Sequence, residues 1–173
     1  MPDGNIYAIF ASKNRIEGRL WDKTKWLQTE IITGRAPSAD FGYSAVVLNS
    51  EVHLAFLENS TKNIYYLRRT TDGAWKELLV EGNLDIMSPP VLSADQSTTK
   101  LYCMWLQGKA LQLRKIENGV WVSVAVGDLG LTFPEGLTTF YDCSKGPIGV
   151  ALLDSLSQHE ENYRLSYLII KKP

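Results

Sequence analysis

Reaction chemistry has left few marks on this chain. Two histidines, His53 and His159, and two cysteines, Cys103 and Cys143, are the whole stock in 173 residues, too few and too scattered for a zinc constellation. A disulfide between the cysteines stays open, although Cys103 in the apolar run YCMWL has the setting of a buried free thiol. There is no Gly-x-Ser-x-Gly elbow, phosphate-binding loop or His-Glu-x-x-His pair, and no metal or organic cofactor is expected. Charge of one sign is lacking too. Eighteen Lys and Arg stand against 19 Asp and Glu, a net −1, which leaves no electrostatic footprint for nucleic acid or an anionic membrane. The apolar runs Ala45–Leu48 and Leu165–Ile170 are far too short to span a bilayer. The opening MPDGNIYAIF has neither the basic region nor the apolar segment of a secretory leader, so a cytoplasmic setting is expected unless the chain is trimmed. Finally, no window keeps a helical period.

What is present is a repeat. IYAIF (Ile6–Phe10), VHLAF (Val52–Phe56), LYCMW (Leu101–Trp105) and IGVAL (Ile148–Leu152) begin 46, 49 and 47 residues apart. Trp26, Trp75 and Trp121, each opening a later strand, are 49 and 46 apart. Two landmarks with one period define a structural repeat of about 45 residues. In the second copy four strands follow one another: A (Ser44–Leu48), B (Val52–Leu57), C (Asn63–Arg69) and D (Trp75–Val80). The links LNSE, ENSTKN and TTDGAW are rich in the residues that tight antiparallel turns require. The third copy repeats the plan, the first lacks A and the last lacks D. This predicts 14 strands in a single domain, with units at about 1–34, 38–83, 87–127 and 135–171.

A four-stranded antiparallel unit repeated at this length is the blade of a β-propeller. One sheet cannot cover both its own faces, so blades stack. Strand B, apolar almost throughout in VHLAFL and LYCMWL, suits burial on both faces. Strand D, with its charges, suits an outer edge. The repeated tryptophan at the start of D is expected to pack on the next blade. The fold expected is therefore all-β, a propeller of about four blades, two complete and two partial. The partial blades close a small ring, are completed by a second copy of the chain, a homodimer, or belong to a longer propeller of which this chain is a fragment.

SAVVLNSEVHLAFLENSTKNIYYLRRTTDGAW resembles a blade of the sialidase-like propellers, with Thr71, Asp72, Gly73 and Trp75 near their aspartate box at a shorter spacing. NIYAIFASKNRIEGRLWDKTKW is similar in rhythm to blades of the fucose-binding propeller lectins. The sialidase resemblance would imply three arginines clamping a carboxylate, but Arg68 and Arg69 are adjacent on one strand and point to opposite faces. The lectin resemblance would imply an Arg on strand B and a Glu on strand C. The first position falls on Tyr7, His53 and Tyr102, the second on Glu17, Tyr65 and Gln112, so no copy keeps both. What remains is aromatic and hydrogen-bonding surface. Glu17, Trp21, Glu58, Tyr66, Arg68 and Trp75 are the candidate ligand contacts, with Glu58, Tyr66 and Arg68 the expected exposed polar cluster. His53 is expected to be a satisfied core histidine and Asp72 to bond its own turn. The reading is a non-catalytic, lectin-like binder of glycan. A protein-interaction scaffold and a degenerate glycosidase of sialidase type are the alternatives.

Overall fold

The computed structural model describes residues 4–12, 14–39, 42–86, 88–141, 148–156 and 163–170. They form fourteen strands, with no helix among the described residues. Sheet one holds β1 (Ile6–Ser12), β2 (Arg15–Trp21) and β3 (Glu30–Thr33); sheet two holds β4 (Tyr43–Leu48), β5 (Glu51–Leu57), β6 (Ile64–Arg69) and β7 (Trp75–Glu81). Sheet three holds β8 (Val91–Asp95), β9 (Lys100–Gln107), β10 (Ala110–Glu117) and β11 (Val120–Ser123); sheet four holds β12 (Phe133–Tyr141), β13 (Ile148–Ser155) and β14 (Tyr163–Ile170). Within each sheet the strands lie in chain order and pair antiparallel. This is a blade-repeat β-propeller architecture.

The turns explain the tight pairing. Asn49 and Ser50 link β4 to β5 with φ of 52° and 65°, and Asn118 and Gly119 link β10 to β11 with φ of 50° and 80°. Two successive positive φ values give the primed turn whose twist matches that of the flanking strands.

Three apolar layers join consecutive sheets. Ile16 and Ile32 meet Leu54, Phe56 and Leu67 between sheets one and two. Ala55, Leu57, Ile64 and Tyr66 meet Leu92, Cys103 and Trp105 between sheets two and three. Met104, Leu106, Leu111 and Leu113 meet Val150 and Leu152 between sheets three and four. Because side chains alternate along a strand, β5 and β9 each contribute to two layers and are buried on both faces, as their composition required. The inner strands β4, β8 and β12 run side by side. Ser44 Oγ accepts from Leu92 N at 3.0 Å and Gln96 Nε2 donates to Val47 O at 2.6 Å. Cys103 is a buried free thiol whose pKa burial pushes far above the usual range; Cys143 lies outside the described residues.

Three expectations need correction. Trp26 does not open β3: it bridges Trp21 in the hairpin before that strand. The D-strand tryptophans pack on the preceding blade, not the next. Trp75 lies against Tyr7 of sheet one (6.0 Å between rings) and Trp121 against Tyr66 of sheet two (5.1 Å, edge-on). The reason is register. Trp75 stands opposite Arg69, and Trp121 opposite Ile116; Arg69 reaches back to Glu30 of sheet one at 3.0 Å, and Ile116 packs on the layer against sheet two. Last, Glu58 and Tyr66 are not exposed, since both are sealed by partners described below.

Candidate binding cleft between the second and third sheets

A cleft of about 470 Å³ opens where sheet two meets sheet three, lined by Tyr66, Arg68, Lys76, Glu77, Leu78, Ile116 and Gly119. Tyr66 and Arg68 come from alternate positions of β6, so both side chains leave the same face. Lys76, Glu77 and Leu78 come from the outer strand β7, and Ile116 and Gly119 from the end of β10 and its turn.

Tyr66 is buried, and His53 explains how its hydroxyl tolerates that. His53 Nε2 lies 3.3 Å from Leu48 O, which can only accept, so Nε2 carries the proton and Nδ1 accepts from the Tyr66 hydroxyl at 2.7 Å. The two rings also stack at 5.9 Å. Burial lowers the His53 pKa, against the pull of the Leu48 carbonyl and Glu51, and drives the Tyr66 phenol far above its usual range. Both are neutral at pH 7, and His53 is the satisfied core histidine its strand suggested. Behind them, the buried Trp121 Nε1 has no hydrogen-bond partner among the described residues. At the mouth, Arg68 faces Glu51 at 3.6 Å with its side chain 40% exposed. Glu77 accepts from Arg35 Nε at 3.0 Å.

The cleft thus has an apolar floor, Leu78 and Ile116 over the buried Tyr66 ring, under a rim of two cations, Arg68 and Lys76; the Glu77 side chain, opposite Leu67 and held by Arg35, leaves the other face of the sheet. Two other hollows are poorer in such groups. One of about 310 Å³ between β1 and β4 is lined mainly by Tyr7, Ile9, Ala45, Val46, Val47 and Val52. One of about 250 Å³ lies beside Arg69, Thr70 and Thr71.

Of the six candidate contacts, only Tyr66 and Arg68 meet here. Glu58 is buried beyond the end of β5, where Thr61 donates to it and Arg35 Nη1 sits 3.2 Å away. Arg35 also lies 4.0 Å above the Tyr65 ring, so this cluster fastens the linker before sheet two. Trp75 is in the layer between sheets one and two. Glu17, paired with Arg15 at 2.8 Å, and Trp21, against Trp26 at 5.6 Å, belong to the outer face of sheet one. Lys76, Glu77, Leu78 and Ile116 escaped sequence reasoning, because the strand pattern does not say which sheet face meets which.

The arginines are dispersed. Arg15, Arg35, Arg68, Arg69, Arg114 and Arg164 each pair with a carboxylate, and Arg19 donates to Leu27 O at 2.7 Å. Asp72 accepts from Thr70 Oγ1 and from Ala74 N within its own turn, as expected. Among the described residues no group of three or more His, Cys, Asp or Glu is placed to hold a metal.

No family model matches the chain, and no curated protein does. Two solved propellers are similar in structure. A chain described as Bacteroides ovatus Xyloglucan PUL GH43B superposes with a TM-score of 0.55 at 14% identity, over 98% of this chain and 37% of that one. A chain of a nidogen/laminin complex superposes with a TM-score of 0.55 at 13% identity, over 96% of this chain and 61% of that one. The chain therefore spans less than two thirds of either neighbour, and at these identities the likeness is one of fold.

Proposed function

We propose that the protein is a non-catalytic binding module that takes a saccharide in the cleft between sheets two and three. The observation that carries this reading is the cleft's mixed lining. Leu78 and Ile116, above the buried Tyr66 ring, offer apolar surface to the C–H face of a sugar ring, and Arg68 and Lys76 offer donors to its hydroxyls. One of the two similar propellers is carbohydrate-active, which supports a carbohydrate-related module. The pairing of two opposed carboxylates that glycoside hydrolysis uses is not what the described lining of this cleft offers, since Glu77 turns its side chain to the other face of the sheet. The fucose-lectin and sialidase resemblances add nothing beyond blade rhythm: their arginine and glutamate patterns do not recur across the blades.

A glycan array followed by calorimetry tests the proposal. Saturable binding is expected, weakened about tenfold by Arg68→Ala, about 1.4 kcal/mol. No binding to any glycan, or binding indifferent to Arg68→Ala and Lys76→Ala, overturns the site. Release of reducing sugar from a bound oligosaccharide overturns its non-catalytic character.

A further inference from the structure

The two ends of the stack carry the two halves of an interface that the interior forms three times. Each sheet turns a forward face to the sheet after it and a backward face to the sheet before. Pairing register fixes which residues correspond. On the forward face of sheet two, Leu57 stands opposite Ile64 and Ala55 opposite Tyr66; on that of sheet four, Leu153 stands opposite Leu165 and Ala151 opposite Tyr167. In sheet two, sheet three covers them and Ile64 and Tyr66 are 0% and 2% exposed. In sheet four, Leu165 and Tyr167 are 57% and 68% exposed. On the backward face, Phe10, Phe56, Trp105 and Leu152 share one blade position, opposite Glu17, Tyr65, Gln112 and Ser166. The last three are sealed at 0–1% exposure, whereas Phe10 is 39% exposed.

The tryptophan series agrees. Trp21 opposite Trp26, Arg69 opposite Trp75 and Ile116 opposite Trp121 are the same place in three blades. Trp121 packs on Tyr66, whose counterpart in sheet four is Tyr167. Trp26 is 41% exposed and sets its ring against Trp21 of its own sheet.

We infer that a second copy of this chain covers both ends, with sheet four of each copy stacked on sheet one of the other and Tyr167 meeting the partner's Trp26. The occupant follows from complementarity. The forward face of a blade is built to receive a backward face carrying a large apolar residue at the Phe10 position and a tryptophan at the Trp26 position, and this chain supplies both. Two copies joined head to tail form two identical junctions and close a ring, so four apolar faces leave water in one association step. This reading does not depend on what the cleft between sheets two and three binds.

Light scattering on a sizing column, run over a range of concentrations, tests it. The expected mass is twice 19.4 kDa. Leu165→Asp and Phe10→Asp, at opposite ends of the chain's stack, should each give a monomer whose circular dichroism is unchanged. An equimolar mixture of the two should recover a dimer, because one junction in the mixed ring is intact. Tyr167→Phe, which keeps the ring, should remain dimeric if Leu165→Asp proves unfolded. A wild-type chain that is monomeric at every concentration overturns the inference. So does an open polymer, which would mean that the rotation does not close. A dimer lost in Leu165→Asp but untouched by Phe10→Asp also overturns it, since sheet four would then pair with itself.

Discussion

Ile64 and Leu165 hold one place in two blades. Each stands opposite a leucine of the preceding strand, on the forward face of its sheet, yet one is sealed and the other faces water. Their strands, IYYLRR and YRLSYLII, are both apolar and aromatic. The difference lies in the neighbour. Sheet three covers the first with Trp105, Cys103 and Leu92, whereas the second is left 57% exposed. In a stacked-sheet protein, therefore, an apolar strand specifies that a face must be covered, and the stack decides whether it is. At about 25 cal/mol per Å² of apolar surface removed from water, the interior layers drive folding, and the end faces add little to it while they stay exposed.

The largest test of this comparison sets Phe56 against Phe10. Both occupy the same position on a backward face, so side-chain chemistry is held constant. Phe56→Ala should cost about 3–5 kcal/mol through lost transfer and an unfilled cavity. Phe10→Ala, measured by urea unfolding at a concentration where the chain is monomeric, should cost less than about 1 kcal/mol. Equal losses would mean that Phe10 is covered within a single chain and would break the comparison.

These contrasts also mark how far the sequence could be read. The strands, the three-four-four-three division and the burial of strand B were legible because two landmarks share a period and composition reports burial. The direction of stacking was not. Alternation says which residues share a face but not which neighbour that face meets, so the tryptophans were placed on the wrong side of their blades. Glu58 and Tyr66 looked exposed because both are polar. What buries them comes from elsewhere: Arg35 from the linker before sheet two and Trp121 from the blade beyond. No local pattern announces such partners.

A second contrast, smaller in effect, lies between Gly18 and Tyr66, which stand at one blade position opposite Ile9 and Ala55. In sheet two the aromatic ring that receives the next blade's tryptophan stands on strand C. In sheet one it is Tyr7, from strand B, and its phenol occupies the space above Gly18. A Cβ on Gly18 would sit 2.1 Å from the Tyr7 oxygen and 2.5 Å from its ring carbon. Tyr7 cannot swing aside freely, because it donates to Glu30 and lies 5.1 Å beneath the Arg69 guanidinium. Gly18→Ala should therefore destabilise by about 1–3 kcal/mol. Combined with Tyr7→Ala the cost should fall short of the sum of the two, because the clash is gone. Strict additivity in thermal or urea unfolding would show that the two residues do not share the space.

The smallest effect separates sheet two from sheet four through pH. His53 in β5 corresponds to Gly149 in β13, so the second blade has a histidine on strand B beside its tyrosine where the fourth has a glycine. Burial lowers the folded-state pKa of His53; the Leu48 carbonyl and Glu51 raise it, and Arg68 on the opposite strand lowers it. The unfolded chain, with an ordinary histidine near 6.5, then binds the proton first as pH falls. His53's contribution to stability is complete above that value and is lost as the pH drops toward the folded-state pKa. The slope cannot exceed about 1.4 kcal/mol per pH unit for one proton. Urea unfolding between pH 7 and pH 5, above the range where ordinary carboxylates titrate, should show stability declining in the wild type. His53→Gln, less stable at pH 7 for want of the ring, should be flatter over the same interval. A His53→Gln chain that loses stability as steeply as the wild type would assign the decline to His159 and leave the Tyr66–His53 pair without a role in it.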